Sequence, residues 1–142
     1  MAWGPVVLWM AAIFYVSAQN TWTVFDGPPP VKLARKSGHI FEYAVLGLLV
    51  GRALLWTWTR NGEPVTRGLL ARVWAVGTAA CTVYAMTDEW HQAFVPLRVG
   101  YGWDVLVDAL SAAAALGVWY IVRAEVTRRA QRTRNPEYRD LH

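Results

Sequence analysis

The chain has 142 residues and is 55% hydrophobic but only 17% charged, against about 45–50% and about 25% in ordinary soluble domains. That length suits one domain and excludes two with separate cores. The net charge of +4 is no nucleic-acid signature, because Arg123, Arg128, Arg129, Arg132, Arg134 and Arg139 follow an apolar stretch with a single aromatic residue, Tyr138, among them and no series of stacking platforms, as a topology signal beside anionic lipid head groups does.

No charged residue occurs from Met1 to Phe25, and Trp3 to Ala18 is almost wholly apolar. A bilayer takes about 20 residues to cross, so a first membrane helix is expected here. Val16-Ser17-Ala18 resembles a signal-peptide cleavage site, but the positive start of such a signal is missing and the segment is expected to be retained. Asp26-Gly27-Pro28-Pro29-Pro30 is expected to forbid helix and make a stiff extended connection. A second span is expected over about Ser37 to Trp58, closed by a turn at Asn61-Gly62-Glu63-Pro64. The third covers about Gly68 to Glu89 and holds the lone Cys81, which excludes an intrachain disulfide and reads as a buried small hydrophobe. Pro96 and Gly100-Tyr101-Gly102 mark another connection. The fourth span covers about Trp103 to Val122, and Ala112 to Ala115 offer a smooth surface for close helix contact. Nine Trp residues suit a chain with many rings at the membrane–water boundary.

The fold expected is therefore an all-α integral membrane bundle of four transmembrane helices, residues 1–123, followed by a basic tail, 124–142. Cytoplasmic loops carry the excess of Lys and Arg. With both termini cytoplasmic, Arg60, Arg67, Arg72 and the six tail arginines lie inside. Lys32, Arg35, Lys36 and Arg98 lie outside, and Arg52 snorkels inward.

This topology gathers most ionisable residues at one face. Lys36, His39 and Glu42 fall at the outer start of the second helix. Asp88, Glu89, His91 and Gln92 fall at the outer end of the third, Arg98 in the loop, and Asp104 and Asp108 at the outer start of the fourth. Helical spacing puts Lys36, His39, Glu42 and Tyr43 along neighbouring positions of one stripe, and aligns Asp104, Asp108 and Ser111. A charged side chain at mid-membrane costs roughly 2.5–3.5 kcal/mol, so Glu42 and Asp108 are expected to face the bundle and be paired. Each residue taken singly has a structural explanation: Asp104 as a helix cap, Lys36 as a flank, Arg98 as a loop tie. Taken together they exceed what topology or capping needs, and intramembrane ionisable groups are functional candidates by default.

At these residues the chain resembles the VanZ-like family of bacterial membrane proteins. The resemblance rests on Lys36-Ser-Gly-His39-Ile-Phe-Glu42-Tyr43-Ala-Val-Leu-Gly47, on Tyr84-Ala-Met-Thr-Asp88-Glu89-Trp-His91-Gln92-Ala-Phe-Val-Pro96-Leu-Arg98, on Asp104-Val-Leu-Val-Asp108, and on the opening Phe14-Tyr15-Val-Ser17-Ala-Gln19. It spans nearly the whole chain apart from the Arg-rich tail. Leu97 and Ser111 stand where glycine is usual, and neither departure removes an ionisable member. The family is named for a protein that raises resistance to the glycopeptide teicoplanin, so the resemblance implies a cell-envelope role in the bacterial cytoplasmic membrane.

Three function classes follow. A membrane enzyme, hydrolase or transferase, would act on a lipid-linked or lipid headgroup substrate. In it His39 or His91 would be the base, Glu42 and Asp88 orienting or acid groups, and Asp104 and Asp108 partners of the cations. Lys36 and Arg98 would hold a phosphate, and Tyr43, Glu89 and Gln92 would line the same pocket. A non-catalytic binder would hold an envelope lipid, a cell-wall precursor or an antibiotic in that pocket. Proton or ion transport fits less well, because no polar track crosses the inner halves. No cofactor is expected. A divalent metal is the variant, with His39, Glu42, Glu89, His91 and Asp108 as N and O donors but no His-Glu-x-x-His signature.

Overall fold

The computed structural model describes residues 1–18, 29–60, 62, 64–94 and 102–134, with the side chains of 29–36 and 131–134 left aside. Four helices make up its regular structure: α1 (Gly4–Ala18), α2 (Pro29–Arg60), α3 (Arg67–Gln92) and α4 (Gly102–Arg134). Three of them, over Ser37–Arg60, Arg67–Gln92 and Gly102–Ala130, are long and apolar enough to cross a membrane. The fourth apolar helix, α1, has 15 residues, about 22 Å at 1.5 Å per residue.

The expected non-helical stretch from Asp26 to Pro30 is corrected at its end, since α2 already includes Pro29 and Pro30. Proline breaks helix interiors because it lacks an N–H and crowds the preceding turn. In the first turn that N–H has no intrahelical partner to lose, and the ring presets the helical φ. Helix α4 likewise runs past Val122 to Arg134, its basic end laced by Glu125, which lies 2.6 Å from Arg128 and 2.9 Å from Arg129. Between α2 and α3 the chain turns at Gly62, whose φ of 90° is open to glycine and costly for other residues. Thr66 then caps α3, its hydroxyl oxygen accepting from the Leu69 amide at 3.1 Å.

Contacts fix the directions of the helices. His39, Gly47 and Gly51 of α2 meet Asp108, Ala112 and Leu116 of α4, so these two run parallel. Arg67 and Leu70 of α3 line a cavity with Ala124 and Arg128 of α4 while Gly77 meets Leu116, and Tyr84 lies by Tyr43 while Gly77 meets Leu54, so α3 runs against both. Helix α1 lies alongside α3, the Tyr84 hydroxyl donating to the Met10 carbonyl at 2.7 Å and Ser17 reaching Asp88. The starts of α2 and α4 and the ends of α1 and α3 therefore share one end of the bundle.

The α2–α4 seam is the tightest packing. A Cβ added at Gly47 would lie 2.9 Å from the Ala112 carbonyl oxygen, so glycine lets the two backbones touch. Of the alanine run, only Ala112 is fully buried in this seam, and Ala114 is exposed. Leu116, fully buried, fills the space between Gly51 and Gly77.

The exterior is apolar as a lipid-facing surface requires, with Val7, Leu8, Phe41, Val83, Leu110 and Val118 among the exposed large hydrophobics. Exposed Trp90 and Trp103 mark the polar-cluster end. At the other end Arg60 lies over Trp56 at 5.1 Å and Arg123 over Trp119 at 5.6 Å, interfacial rings paired with basic anchors. Tyr84→Phe, which removes the α3–α1 hydrogen bond and nothing else, is expected to lower stability in detergent by about 0.6–1.7 kcal/mol, read as a small fall in the thermal midpoint.

Candidate functional site

Each long helix presents one buried stripe, and near the shared end that stripe turns polar. On α3 it runs Gly77, Cys81, Ala85, Asp88, Gln92; on α4 it runs Leu116, Ala112, Asp108; on α2 it rises through Leu46 and Tyr43 toward half-buried His39. The spacing of three and four residues keeps them in register with the apolar core below, so core packing also aims the polar groups inward.

Two polar groupings result. In the first, the Asp88 carboxylate, 2% exposed, accepts from the Ser17 hydroxyl at 2.9 Å and from the Gln92 amide at 2.7 Å on its Oδ2. Gln92 also donates to Ser17 at 3.2 Å, closing a buried triangle between α1 and α3. In the second, His39 Nδ1 lies 3.7 Å from Asp108 Oδ2, at the α2–α4 seam. That is beyond hydrogen-bond length and within ion-pair reach. The Asp108 side chain is 6% exposed and that of His39 21%, so the imidazole faces the opening and the carboxylate lies behind it.

Tyr43 stands between the groupings. It is fully buried, its ring lies 6.2 Å from that of Tyr84, and it sits within the fields of Asp88, Asp108 and Glu42. Among the described residues, neither its hydroxyl nor Asp108 Oδ1 has a hydrogen-bond partner. Buried polar atoms are nearly always satisfied, by protein, water or a ligand, so these two mark where one fits.

The other candidates are less central. His91 falls one position off the α3 stripe and stacks on Phe14 of α1, ring centroids 4.0 Å apart, instead of joining His39 or Asp108. Glu42, Glu89 and Asp104 are half-buried, and the backbone carbonyl of Glu42 accepts from the Trp9 indole at 2.9 Å. The backbone of Lys36 lies in α2, but its side chain is outside the described residues, as is Arg98 altogether. Among the described residues, no group of three or more His, Cys, Asp or Glu converges as a metal site.

Residues 2–123 match the VanZ/LLP1 family. The chain belongs to that family. No curated protein and no solved structure matches it. All three blocks and the opening segment that carry the resemblance thus fall within the VanZ/LLP1 match, and the arginines from Arg128 onward lie beyond it.

Sequence reasoning missed Ser17. It placed this residue in a resemblance to a cleavage site and in the family's opening segment without giving it a site role, whereas here it is 4% exposed and ties α1 to Asp88. The available signal was a lone serine in an otherwise apolar run, close to the end where the acids gather. Ser17→Ala removes a donor from a buried carboxylate and is expected to cost about 0.6–1.7 kcal/mol, the range found for hydrogen bonds between membrane helices. Faster proteolysis of the α1–α2 connection in detergent, with α2–α4 intact, would register it.

Proposed function

We propose that this VanZ/LLP1 chain is a four-span protein of the bacterial cytoplasmic membrane, both termini cytoplasmic, whose outward-facing pocket acts on the phosphate of a lipid-linked or lipid headgroup substrate. The observation that carries the reading is the His39–Asp108 pair, half-buried and buried, beside two buried polar atoms, Tyr43 Oη and Asp108 Oδ1, that have no hydrogen-bond partner among the described residues. In this reading His39 is the general base that takes a proton from the attacking water or acceptor hydroxyl, whose oxygen bonds to phosphorus as the bond to the leaving oxygen breaks, and the imidazolium returns the proton to that leaving oxygen. Asp108 orients the imidazole and stabilises its charged form. The Tyr43 hydroxyl donates to charge growing on the phosphoryl oxygens, Lys36 and Arg98 hold the phosphate, and Glu42 and Asp88 line the acid side. The longer His39–Asp108 contact suits a resting site, since catalytic hydrogen bonds often tighten only with substrate bound.

A groove of about 490 Å3 between α2 and α4 supports a lipid substrate. It runs from Ile40 and Val107, each next in sequence to a member of the pair, down to Val118. From Val107 to Val118, eleven helical steps of α4 rise about 16 Å, roughly one leaflet of a 30 Å hydrocarbon core. An outer-leaflet chain lying there would bring its head group to His39. The distribution of Lys and Arg also supports the orientation, with nine basic residues on the cytoplasmic side against four outside. Through the family, the reading extends to glycopeptide (teicoplanin) resistance by altered envelope lipids.

The test is turnover by the purified protein in detergent, over a panel of labelled polyprenyl-linked and glycerolipid phosphates. Turnover of one class, lost in His39→Ala and Asp108→Asn proteins of unchanged thermal midpoint, supports the reading. Tight binding without turnover across the panel would replace catalysis with a non-catalytic envelope-lipid binder.

A further inference from the structure

At the bundle end opposite the polar cluster, the start of α3 and the basic end of α4 enclose a second cavity, of about 230 Å3. Arg67 and Arg128 stand on its two sides with Thr66 and Thr127, above an apolar floor that includes Leu70 and Ala124. We infer that this cavity is a binding site for the phosphate head group of an anionic phospholipid, distinct from the pocket at His39 and Asp108.

Charge, chemistry and depth agree on that occupant. Arg67 has no ion-pair partner among the described residues. Arg128 shares Glu125 with Arg129, so these four side chains carry a net positive charge. Guanidinium groups from two helices lining one small cavity match the oxygens of a phosphate better than a point cation does. The Thr66 oxygen already accepts from the Leu69 amide, which leaves its proton to donate, and Thr127 adds a second hydroxyl. Around the floor pack Trp58, Trp119 and Tyr120, rings of the kind that sit at head-group level. The apolar floor suits a glycerol backbone and the first chain carbons; a free phosphate would leave it wet.

The experiment measures phosphatidylglycerol binding to the full chain in detergent micelles, by native mass spectrometry and by the rise in thermal midpoint, with phosphatidylcholine and inorganic phosphate as parallel probes. Each arginine near an anionic lipid surface is worth a factor of about five. Removing both in Arg67→Gln/Arg128→Gln is therefore expected to weaken binding roughly 30-fold. The double variant Arg60→Gln/Arg123→Gln removes the same charge at the same end of the bundle but outside the cavity lining, and is expected to keep most of the affinity. Equal losses in the two double variants would reduce the effect to general surface charge and overturn the site. Inorganic phosphate matching phosphatidylglycerol would overturn the lipid assignment. All four arginines are exposed or lie at the basic end, so the variants fold, and Arg67→Lys, keeping the charge without the fork, is expected to recover part of the binding.

Discussion

Replacing His39 with alanine is expected to slow turnover of the lipid phosphate by about 10²–10⁴-fold, the range for loss of a general base, with the folded bundle unharmed. His39 is half-buried at the mouth and caps no helix, so truncation opens space toward solvent instead of a cavity in the core. Asp108→Asn keeps the shape behind it and removes the charge that favours the imidazolium. It is expected to lower turnover with a smaller effect on KM, and the double variant should lose little more than His39→Ala alone, because the two groups act as a unit. Independent, multiplying losses would mean that Asp108 works apart from His39. His91→Ala, on the Phe14 side, is the internal comparison and should retain most of the turnover.

Gly47→Leu is expected to abolish the folded state in detergent. Even the first carbon of a side chain would meet the Ala112 carbonyl oxygen at 2.9 Å. A backbone atom cannot rotate away, so the whole of α2 must move off α4. Overpacking of a single added methyl in a tight core costs about 1–3 kcal/mol, which sets the expectation for Gly47→Ala, and a branched four-carbon chain goes beyond what a marginally stable domain tolerates. The milder variant carries the functional information. It lies two turns below His39 on the same stripe, and prising the seam open lengthens the His39–Asp108 separation. Gly47→Ala should therefore lose turnover out of proportion to its loss of stability. Gly51, whose neighbour is the flexible end of Leu116, should tolerate alanine better.

The long helices were legible because bilayer thickness fixes the length of an apolar run and each run ends in turn chemistry: Gly62 with its positive φ, and Thr66 as a cap. The proline stretch misled because the penalty for proline belongs to helix interiors, and Pro29 and Pro30 occupy a first turn. At the site, spacing made Asp88 a helical neighbour of either His91 or Gln92, and the hydrogen bond in the fold is the one to Gln92. Spacing did not separate His39 from His91. Both lie three or four residues from an acid, and only the stripe they join distinguishes them. His39 precedes Tyr43 by one helical turn on the buried face of α2, whereas His91 lies about 100° around the helix from Gln92. The Gly77-Cys81-Ala85 row of small buried residues held that information in the sequence. Ser17 was less accessible: a small hydroxyl in an apolar run has the same composition in a cleavage site and in an interhelical tie, and only tertiary contact with Asp88 decides.

Cysteine labelling in intact cells tests the account at its centre, the placement of the His39 pocket on the outer side. In a Cys81→Ser background, Gly38→Cys stands in open space beside His39, and Pro64→Cys is exposed on the α2–α3 connection. A membrane-impermeant maleimide is predicted to label position 38 in intact cells and position 64 only after permeabilisation. Labelling of position 64 from outside, with position 38 protected until the membrane is opened, would contradict it.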